Sequence, residues 1–297
     1  MPGPTTTLIA RHKTGPAASS HAHGREDHVW ARRILIGAAL IFMLLFLVVP
    51  LVAVFTEALR KGLDAYFQAF QDPAAQSAIR LTLTVALIVV PLNTLFGLSA
   101  AWAITKFDFK GKNILLTLID LPFAVSPVIA GLVFVLIFSH TWWGVWFSEN
   151  VCHVIFDTPG IVLATIFVTF PFVAREIIPL MQAQGADEEL AAVSLGANGW
   201  QTFCRVTLPN IKWGLLNGII LCNARAMGEF GAVSVVSGHI RGKTNTIPLH
   251  IEILYNEYQF SASFAIASLL TLLGIATLVI KAIIENRHEP GNGGVQH

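Results

Sequence analysis

An arginine and a glutamate lie four residues apart inside one long apolar stretch, as Arg225 and Glu229 of residues 211–236. Ionisable side chains are costly inside a membrane and often mark a functional site there. Residues four apart on a helix share a face, so the two charges can neutralise each other. Arg225 lies about 21 Å along the stretch, which places the pair in its middle or outer half. A structural ion pair and the lining of a polar pathway both remain open, and the two are compatible.

A second candidate region, residues 182–210, has the pattern of two short helices. Its first part begins with the acidic run Asp187–Glu189, continues through good helix formers and stops at Gly196. The second part starts near Gly199, and we expect Leu208 and Pro209 to end it. Its apolar residues recur three apart, at Trp200, Phe203 and Val206. Such a surface suits a protein partner, although an amphipathic helix lying on a membrane would show the same pattern.

The composition shows what must position these residues. Of the 297 residues, 54% are hydrophobic and 12% are charged, against about 25% charged in soluble domains. Several apolar runs exceed the roughly 18 residues that cross a membrane as a helix, and they are too long for barrel strands. Six spans are predicted, at residues 34–56, 81–105, 114–138, 160–181, 211–236 and 262–284. We therefore predict an all-α integral membrane protein whose membrane domain covers residues 31–285.

The basic residues predict which ends face the cytoplasm. With the N-terminus inside, the inner segments hold 13 Lys and Arg residues and the outer segments hold 5. Arg175 is counted among the inner residues, and Arg225 is left out because it lies within a span. This asymmetry follows the positive-inside rule. We expect both termini to be cytoplasmic, with tails at residues 1–30 and 286–297, the first of them disordered.

Other patterns argue against several functions. A net charge of +1 provides no basic face for nucleic acid, and the three cysteines are too scattered for a zinc site or a disulfide framework. The run from Gly238 to Thr244 lacks the glycine spacing of a phosphate-binding loop. His21 and His23 form at best a weak metal site in a tail. We expect no catalytic residues, no metal and no cofactor on this chain.

The second region resembles the EAA loop of binding-protein-dependent ABC importer permeases, and we call residues 182–210 the coupling segment. In that family the loop docks in a groove of an ATPase subunit and transmits its closure to the membrane, with a glycine making the turn. The resemblance rests on Ala191, Ala192, Gly196, Val206, Leu208 and Pro209. The family's motif glutamate is replaced here by Leu190, just after Glu188 and Glu189. Glu189 would have to substitute for it from a position about 100° around the helix.

Three further stretches, residues 120–127, 170–176 and 223–242, are similar to the sulfate and thiosulfate permeases of the CysW type. The resemblance covers about residues 30 to 285. It implies a type I, molybdate-permease-like fold in the bacterial inner membrane. The implied partners are a homologous second permease of the T or U type, two copies of an ATPase that binds ATP and Mg, a periplasmic sulfate-binding protein and membrane lipid.

The resemblance also implies the cargo and its contacts. Sulfate or thiosulfate is expected, but molybdate and tungstate permeases share the stretch 228–231, so another oxyanion remains an alternative. For a tetrahedral dianion we expect neutral donors with positive potential from Arg225. These donors are Ser126, Asn223 and Ser234. An ion channel or a membrane-embedded enzyme is the rival interpretation; neither would need the coupling segment, and only Arg225 and Glu229 stand out as ionisable within the spans.

Overall fold

The computed structural model of the protein describes residues 29–288. The tails expected at residues 1–30 and 286–297 therefore lie almost wholly outside the described residues, as do His21 and His23. The boundaries expected between the tails and the membrane domain also shift. Helix α1 already begins at Val29, and the last helix continues to His288.

The chain divides into two compact units, one ending at Pro50 and one beginning at Leu51. In the first unit, α1 (Val29–Met43) runs directly into a π-helical turn, Leu44–Val48, and α2 (Val49–Ala58) starts at the boundary. The second unit contains α3 (Leu63–Gln71), α4 (Pro73–Lys106), α5 (Lys112–Ala124), α6 (Pro127–His140), α7 (Trp142–Asn150), α8 (Thr158–Gln184), α9 (Asp187–Ser194), α10 (Gly199–Thr202), α11 (Leu208–Met227), α12 (Gly231–Ser237), α13 (Ile247–Asn256) and α14 (Phe260–His288). A second π-helical turn, Phe203–Thr207, joins α10 to α11.

Four helices are long and apolar enough to cross a membrane, at Arg32–Ala58, Pro73–Lys106, Thr158–Gln184 and Phe260–Ile283. Two bent pairs raise the number to six if each pair is one span. The single helices expected over 114–138 and 211–236 are both broken: α5 and α6 meet at 107°, and the α10–α11 helix and α12 meet at 49°. The first break contains the extended residues Val125 and Ser126 before Pro127, where a proline disfavours a helical predecessor.

Helix α8 is the centre of the second unit, since it packs against α4, α5, α6, α11 and α12. One core cluster joins four of these helices through Ile104, Ile119, Ile177 and Ile211. Polar contacts add to this packing. Asn93 of α4 is fully buried and its Nδ2 donates to Thr169 Oγ1 of α8 over 2.7 Å, an interhelical bond of the kind that holds helices together in lipid.

Candidate functional site

The coupling segment folds as a short helix, a glycine turn and a helical start of the fifth span. Helix α9 begins with three acidic residues, which favour a helix N-terminus. It ends where Gly196 adopts φ +91°, a left-handed conformation that glycine takes without a steric penalty. Gly196 N–H donates to Val193 O, and Ala197 N–H to Ala192 O, so the last carbonyls of α9 are satisfied. Asn198 and Gln201 then cap α10 reciprocally.

The expectation that Leu208 and Pro209 end this second helix is wrong. The chain passes from α10 through the π-helical turn into α11 without a break. Pro209 has no N–H, and its ring would clash with a carbonyl in a regular helix. The turn before it is wider, with Leu208 N–H donating to Phe203 O five residues back. Leu208 itself packs against the core cluster of α4, α5, α8 and α11, so the coupling segment is continuous with the fifth span.

The acidic start of α9 is bound within the chain. Glu189 Oε2 lies 2.9 Å from Lys106 Nζ at the end of α4, and its Oε1 accepts a hydrogen bond of 2.6 Å from Thr207. Lys106 also donates to Gly185 O over 2.7 Å. Glu188 accepts a hydrogen bond from Asn210. In this conformation Glu189 therefore holds α9 to α4 and to the π-helical turn, with its carboxylate turned inward instead of toward an outside arginine.

An apolar surface covers the outer side of the coupling segment. Leu195 is 90% exposed, and Leu190 is 62% exposed. The other exposed apolar residues of this surface are Ala191, Val193 and Trp200. Exposed apolar patches of this kind mark interaction surfaces. We call these five residues the docking surface.

Two clefts lie next to the docking surface. One, of about 340 Å³, is lined by Ala192, Gly196 and Val206 among others, so three residues of the sequence motif meet at one place. The other, of about 510 Å³, lies between the coupling segment and the ends of α4 and α8, and Lys106 and Glu189 line it. Pro209 is exposed at the start of α11.

The intramembrane pair predicted from sequence forms, but it is less regular than an i,i+4 pair on one helix. Arg225 Nη2 lies 3.1 Å from Glu229 Oε2, with the arginine side chain 38% exposed and the glutamate 1% exposed. Glu229 lies beyond the end of α11, inside the break before α12. Its Oε1 accepts a hydrogen bond of 3.0 Å from Ala232 N–H in the first turn of α12. Glu229 thus links the end of α11 to the first turn of α12, and Arg225 neutralises the charge of its carboxylate.

The break between α5 and α6 and the break between α11 and α12 adjoin each other. A side chain at Gly131 of α6 would come within 2.6 Å of Ala232 O of α12, and Cβ of Pro127 lies 3.0 Å from the position a Cβ would take on Gly231. Only small residues permit this approach. Irregular backbone at membrane depth is tolerated where protein or a water-filled cavity surrounds it.

The predicted neutral donors are only partly brought together. Ser126 is exposed in the link between α5 and α6, beside the break that follows Arg225. Ser234 is half-buried and its hydroxyl donates to Gly231 O of its own helix. Asn223 is half-buried on α11, but two residues before Arg225 it points about 200° away around the helix, so these two side chains do not share a face.

The structure places further ionisable residues within the spans, and this corrects the expectation that only Arg225 and Glu229 stand out there. Asp120 lies in α5, and Arg175 and Glu176 lie in α8. Glu176 accepts a hydrogen bond from Asn217 of α11. Arg175, counted above with the inner segments, already falls within the predicted fourth span, 160–181. That position was the signal that could have identified it.

Comparison with known proteins agrees with this architecture. The family model for binding-protein-dependent transport system inner membrane components matches residues 93–289. The sulfate transport system permease protein CysW of Synechocystis is 52% identical over 255 residues, which cover 86% of this chain and 92% of the relative. CysT, the sulfate transport system permease protein of Escherichia coli, is 35% identical over 263 residues, 84% of this chain and 95% of the relative.

Among solved structures, a chain of a bacterial ABC transporter that imports the acidic polysaccharide alginate matches with a TM-score of 0.72. It is 19% identical, and the match covers 88% of this chain and 96% of that chain. At this identity the likeness shows the fold. The predicted all-helical fold of an ABC importer permease is thereby confirmed.

Proposed function

Because the chain belongs to the family of binding-protein-dependent transport system inner membrane components, we propose that it is the W-type permease subunit of an ATP-driven importer of sulfate or thiosulfate. The assignment of sulfate or thiosulfate as the cargo rests on the 52% identity to a sulfate transport permease over nearly the whole chain. The geometry supports the coupling to ATP, since a segment with an exposed apolar surface leads directly into a membrane helix. Molybdate or tungstate is the alternative cargo.

The docking surface binds a separate ATPase, which holds the ATP and Mg. Closure of the ATPase pushes on α9 and α10. The continuous helix through the π-helical turn passes that movement to α11, and the Lys106–Glu189 pair passes it to α4. Two ATPase copies serve this chain and a second permease of the T type, whose similarity to this chain fits a pair of related subunits.

Translocation uses the region where the two helix breaks adjoin. Broken helices at membrane depth commonly form the substrate sites of transporters, because their free backbone groups and half-helix ends face the cavity. Arg225 supplies positive potential for a dianion, and Ser126 lies in the adjoining break. A periplasmic sulfate-binding protein delivers the cargo, so this chain needs no tight site of its own.

The chain lies in the bacterial inner membrane with both termini in the cytoplasm. This orientation puts the coupling segment on the side where ATP is present. It puts the loop 238–246 on the periplasmic side, where the binding protein arrives. The excess of basic residues in the inner segments supports the same orientation.

Reconstitution tests the proposal. The chain, its partner permease, the ATPase and the binding protein are placed in proteoliposomes, and uptake of radiolabelled sulfate is measured. Uptake should require ATP and the binding protein, and excess molybdate should compete weakly. Uptake without the ATPase would indicate a channel and contradict the proposal.

One substitution tests the docking surface separately. Leu195→Glu places a charge at its most exposed leucine, and should abolish co-purification of the ATPase because a buried unpaired charge is costly at an interface. The matched control is Leu59→Glu, at a leucine 44% exposed beyond the end of α2, on the opposite side of the membrane in the proposed orientation. Equal loss of the ATPase from both variants would contradict docking at this surface.

A further inference from the structure

A second intramembrane ion pair connects α5 and α8. Arg175 Nε donates a hydrogen bond of 2.7 Å to Asp120 Oδ1. Asp120 lies eight residues into α5, and Arg175 lies nine residues before the end of α8. The start of α5 and the end of α8 lie on the same side of the membrane domain. Helix α5 begins shortly after Lys106, the last residue of α4, and Lys106 donates a hydrogen bond to Gly185 O just after α8. At 1.5 Å per residue the pair is about 12 to 14 Å from the helix ends, inside a hydrocarbon layer about 30 Å thick.

Both side chains are open to the surroundings of the chain, at 56% exposure for Arg175 and 47% for Asp120. Charged groups at this depth are expensive against lipid and face a bundle interior or a water-filled cavity. The guanidinium also lies over the ring of Phe123 at 5.0 Å, and that ring packs against Phe172 at 5.4 Å. The aromatic contacts hold the guanidinium in place, while the arginine side chain stays 56% exposed.

The guanidinium has donors left over. In the part of the chain that the structure describes, Nε is the one nitrogen of Arg175 that donates a hydrogen bond. The two Nη groups of an arginine can bind two oxygens of a tetrahedral anion at once. This differs from the Arg225–Glu229 pair, in which the carboxylate is buried and holds the start of α12. Arg175, in the exposed pair, can therefore exchange the Asp120 carboxylate for another anion.

We propose that Arg175 binds the oxyanion in the inner half of the pathway and that Asp120 is the counter-ion it holds between transport events. The dianion takes the place of the Asp120 carboxylate on the guanidinium. The carboxylate then repels the bound dianion and speeds its release, which fits a pathway that must not hold its cargo tightly. The nature of the anion rests on the proposed function, and the site rests on the position, exposure and unused donors of Arg175.

The test uses the complete importer in proteoliposomes with radiolabelled sulfate. The variants are Arg175→Gln, Asp120→Asn and the double variant, with Lys110→Gln as the control for loss of one positive charge at an exposed residue outside the membrane helices. Assembly and ATP hydrolysis stimulated by the binding protein are measured for each. Arg175→Gln should assemble and hydrolyse ATP but lose at least about tenfold in uptake, the effect of losing a charged hydrogen bond. Asp120→Asn should keep more uptake than Arg175→Gln because the cation remains, but it should transport more slowly than the unmodified importer because the carboxylate no longer speeds release of the dianion.

The double variant separates cargo binding from a structural role. An interhelical glutamine–asparagine bond replaces the ion pair, so a purely structural pair would regain uptake when both charges are removed. A cargo-binding arginine predicts that the double variant stays as inactive as Arg175→Gln. Recovery of uptake in the double variant, or normal uptake by Arg175→Gln, would overturn the inference. If the unmodified importer shows no ATP-dependent sulfate uptake, the proposed function fails instead.

Discussion

Among single residues, Glu189 bonds Lys106 and Thr207 inside the chain. Its neighbour Leu190, which stands where the resemblance to the EAA loop implies a glutamate, is a 62% exposed apolar residue of the docking surface. The side chains of Lys106 and Glu189 are 12% and 20% exposed, so their attraction is less screened than that of a surface pair. The pair therefore holds the start of α9 against the end of α4.

Breaking this pair should uncouple the importer. Lys106→Met leaves the Glu189 carboxylate partly buried without its cation, at a cost of about 1 to 3 kcal/mol. We expect the ATPase to remain bound through the docking surface, while sulfate uptake per ATP hydrolysed falls several-fold. The exchange Lys106→Glu with Glu189→Lys should recover part of that ratio. If the exchange is no better than Lys106→Met, then the ion pair does not transmit the movement.

His250 makes the stability of the folded protein depend on pH. Its ring is 2% exposed on α13, outside the candidate spans. Burial holds the pKa of His250 below its usual value near 6.5, although Asp72, 3.8 Å away, opposes this; Arg241 adds to the lowering and Glu257 opposes it. A histidine that is harder to protonate when folded contributes its full stability above pH 6.5 and loses it as the pH falls toward the folded pKa.

The unfolding temperature of the detergent-solubilised complex should therefore fall between pH 7.5 and pH 5.5. In His250→Gln this drop should be smaller, because a group that titrates in the unfolded state has been removed. The matched control is His140→Gln, at an exposed histidine. An unchanged pH dependence in His250→Gln would show that other groups cause the drop.

Two turns, the glycine turn at Gly196 and the π-helical turn Phe203–Thr207, define the coupling segment. Gly196 has φ +91° and nothing lies within 4 Å of where its Cβ would be, so a substitution meets backbone strain without a steric clash. Gly196→Ala should cost about 1 to 2 kcal/mol and lower uptake with little change in the membrane helices. Gly196→Asn should be milder, since asparagine visits left-handed conformations more readily. Equal effects of both variants on uptake would contradict the role of backbone conformation.

The elements also show what the sequence could predict. The acidic start of α9 and its stop at Gly196 follow from local patterns that residues near in sequence decide. The predicted apolar stripe of Trp200, Phe203 and Val206 contributes only Trp200 to the docking surface, because Phe203 and Val206 are half-buried. The end of the second helix was misplaced, because a π-helical turn accommodates Pro209 and no propensity signals such a turn. The break at Ser126 does have a local signal, because Pro127 disfavours a helical conformation at the residue before it. The break at Gly228 has no such proline, and only the packing of α6 against α12 shows where that apolar run bends.

The surface that the membrane helices expose has an apolar part and a part that contains polar and charged side chains. Side chains exposed on α14 are apolar through the middle of the helix, as Leu272 is at 46%. The region of α5, its break and α8 instead exposes Ser126, Asp120 and Arg175. Sequence could not separate these surfaces, because hydropathy identifies a span and not the direction in which each residue points. Lipid can cover the first surface, but the second needs water or a protein partner.

This division predicts which membrane-depth positions meet water in the assembled importer. After Cys152, Cys204 and Cys222 are replaced by alanine, single cysteines are introduced as Ser126→Cys and Leu272→Cys, and a charged, membrane-impermeant thiol reagent is applied to inverted vesicles. The reagent reacts with the thiolate, which forms readily in water and poorly in hydrocarbon, so Ser126→Cys should be labelled at least about tenfold faster. Sulfate delivered by binding protein enclosed in the vesicle lumen, which is the periplasmic side in inverted vesicles, should slow that labelling and leave Leu272→Cys unaffected. Equal labelling of the two cysteines would mean that the break between α5 and α6 is sealed from the pathway, and the anion route would then have to follow α11 alone.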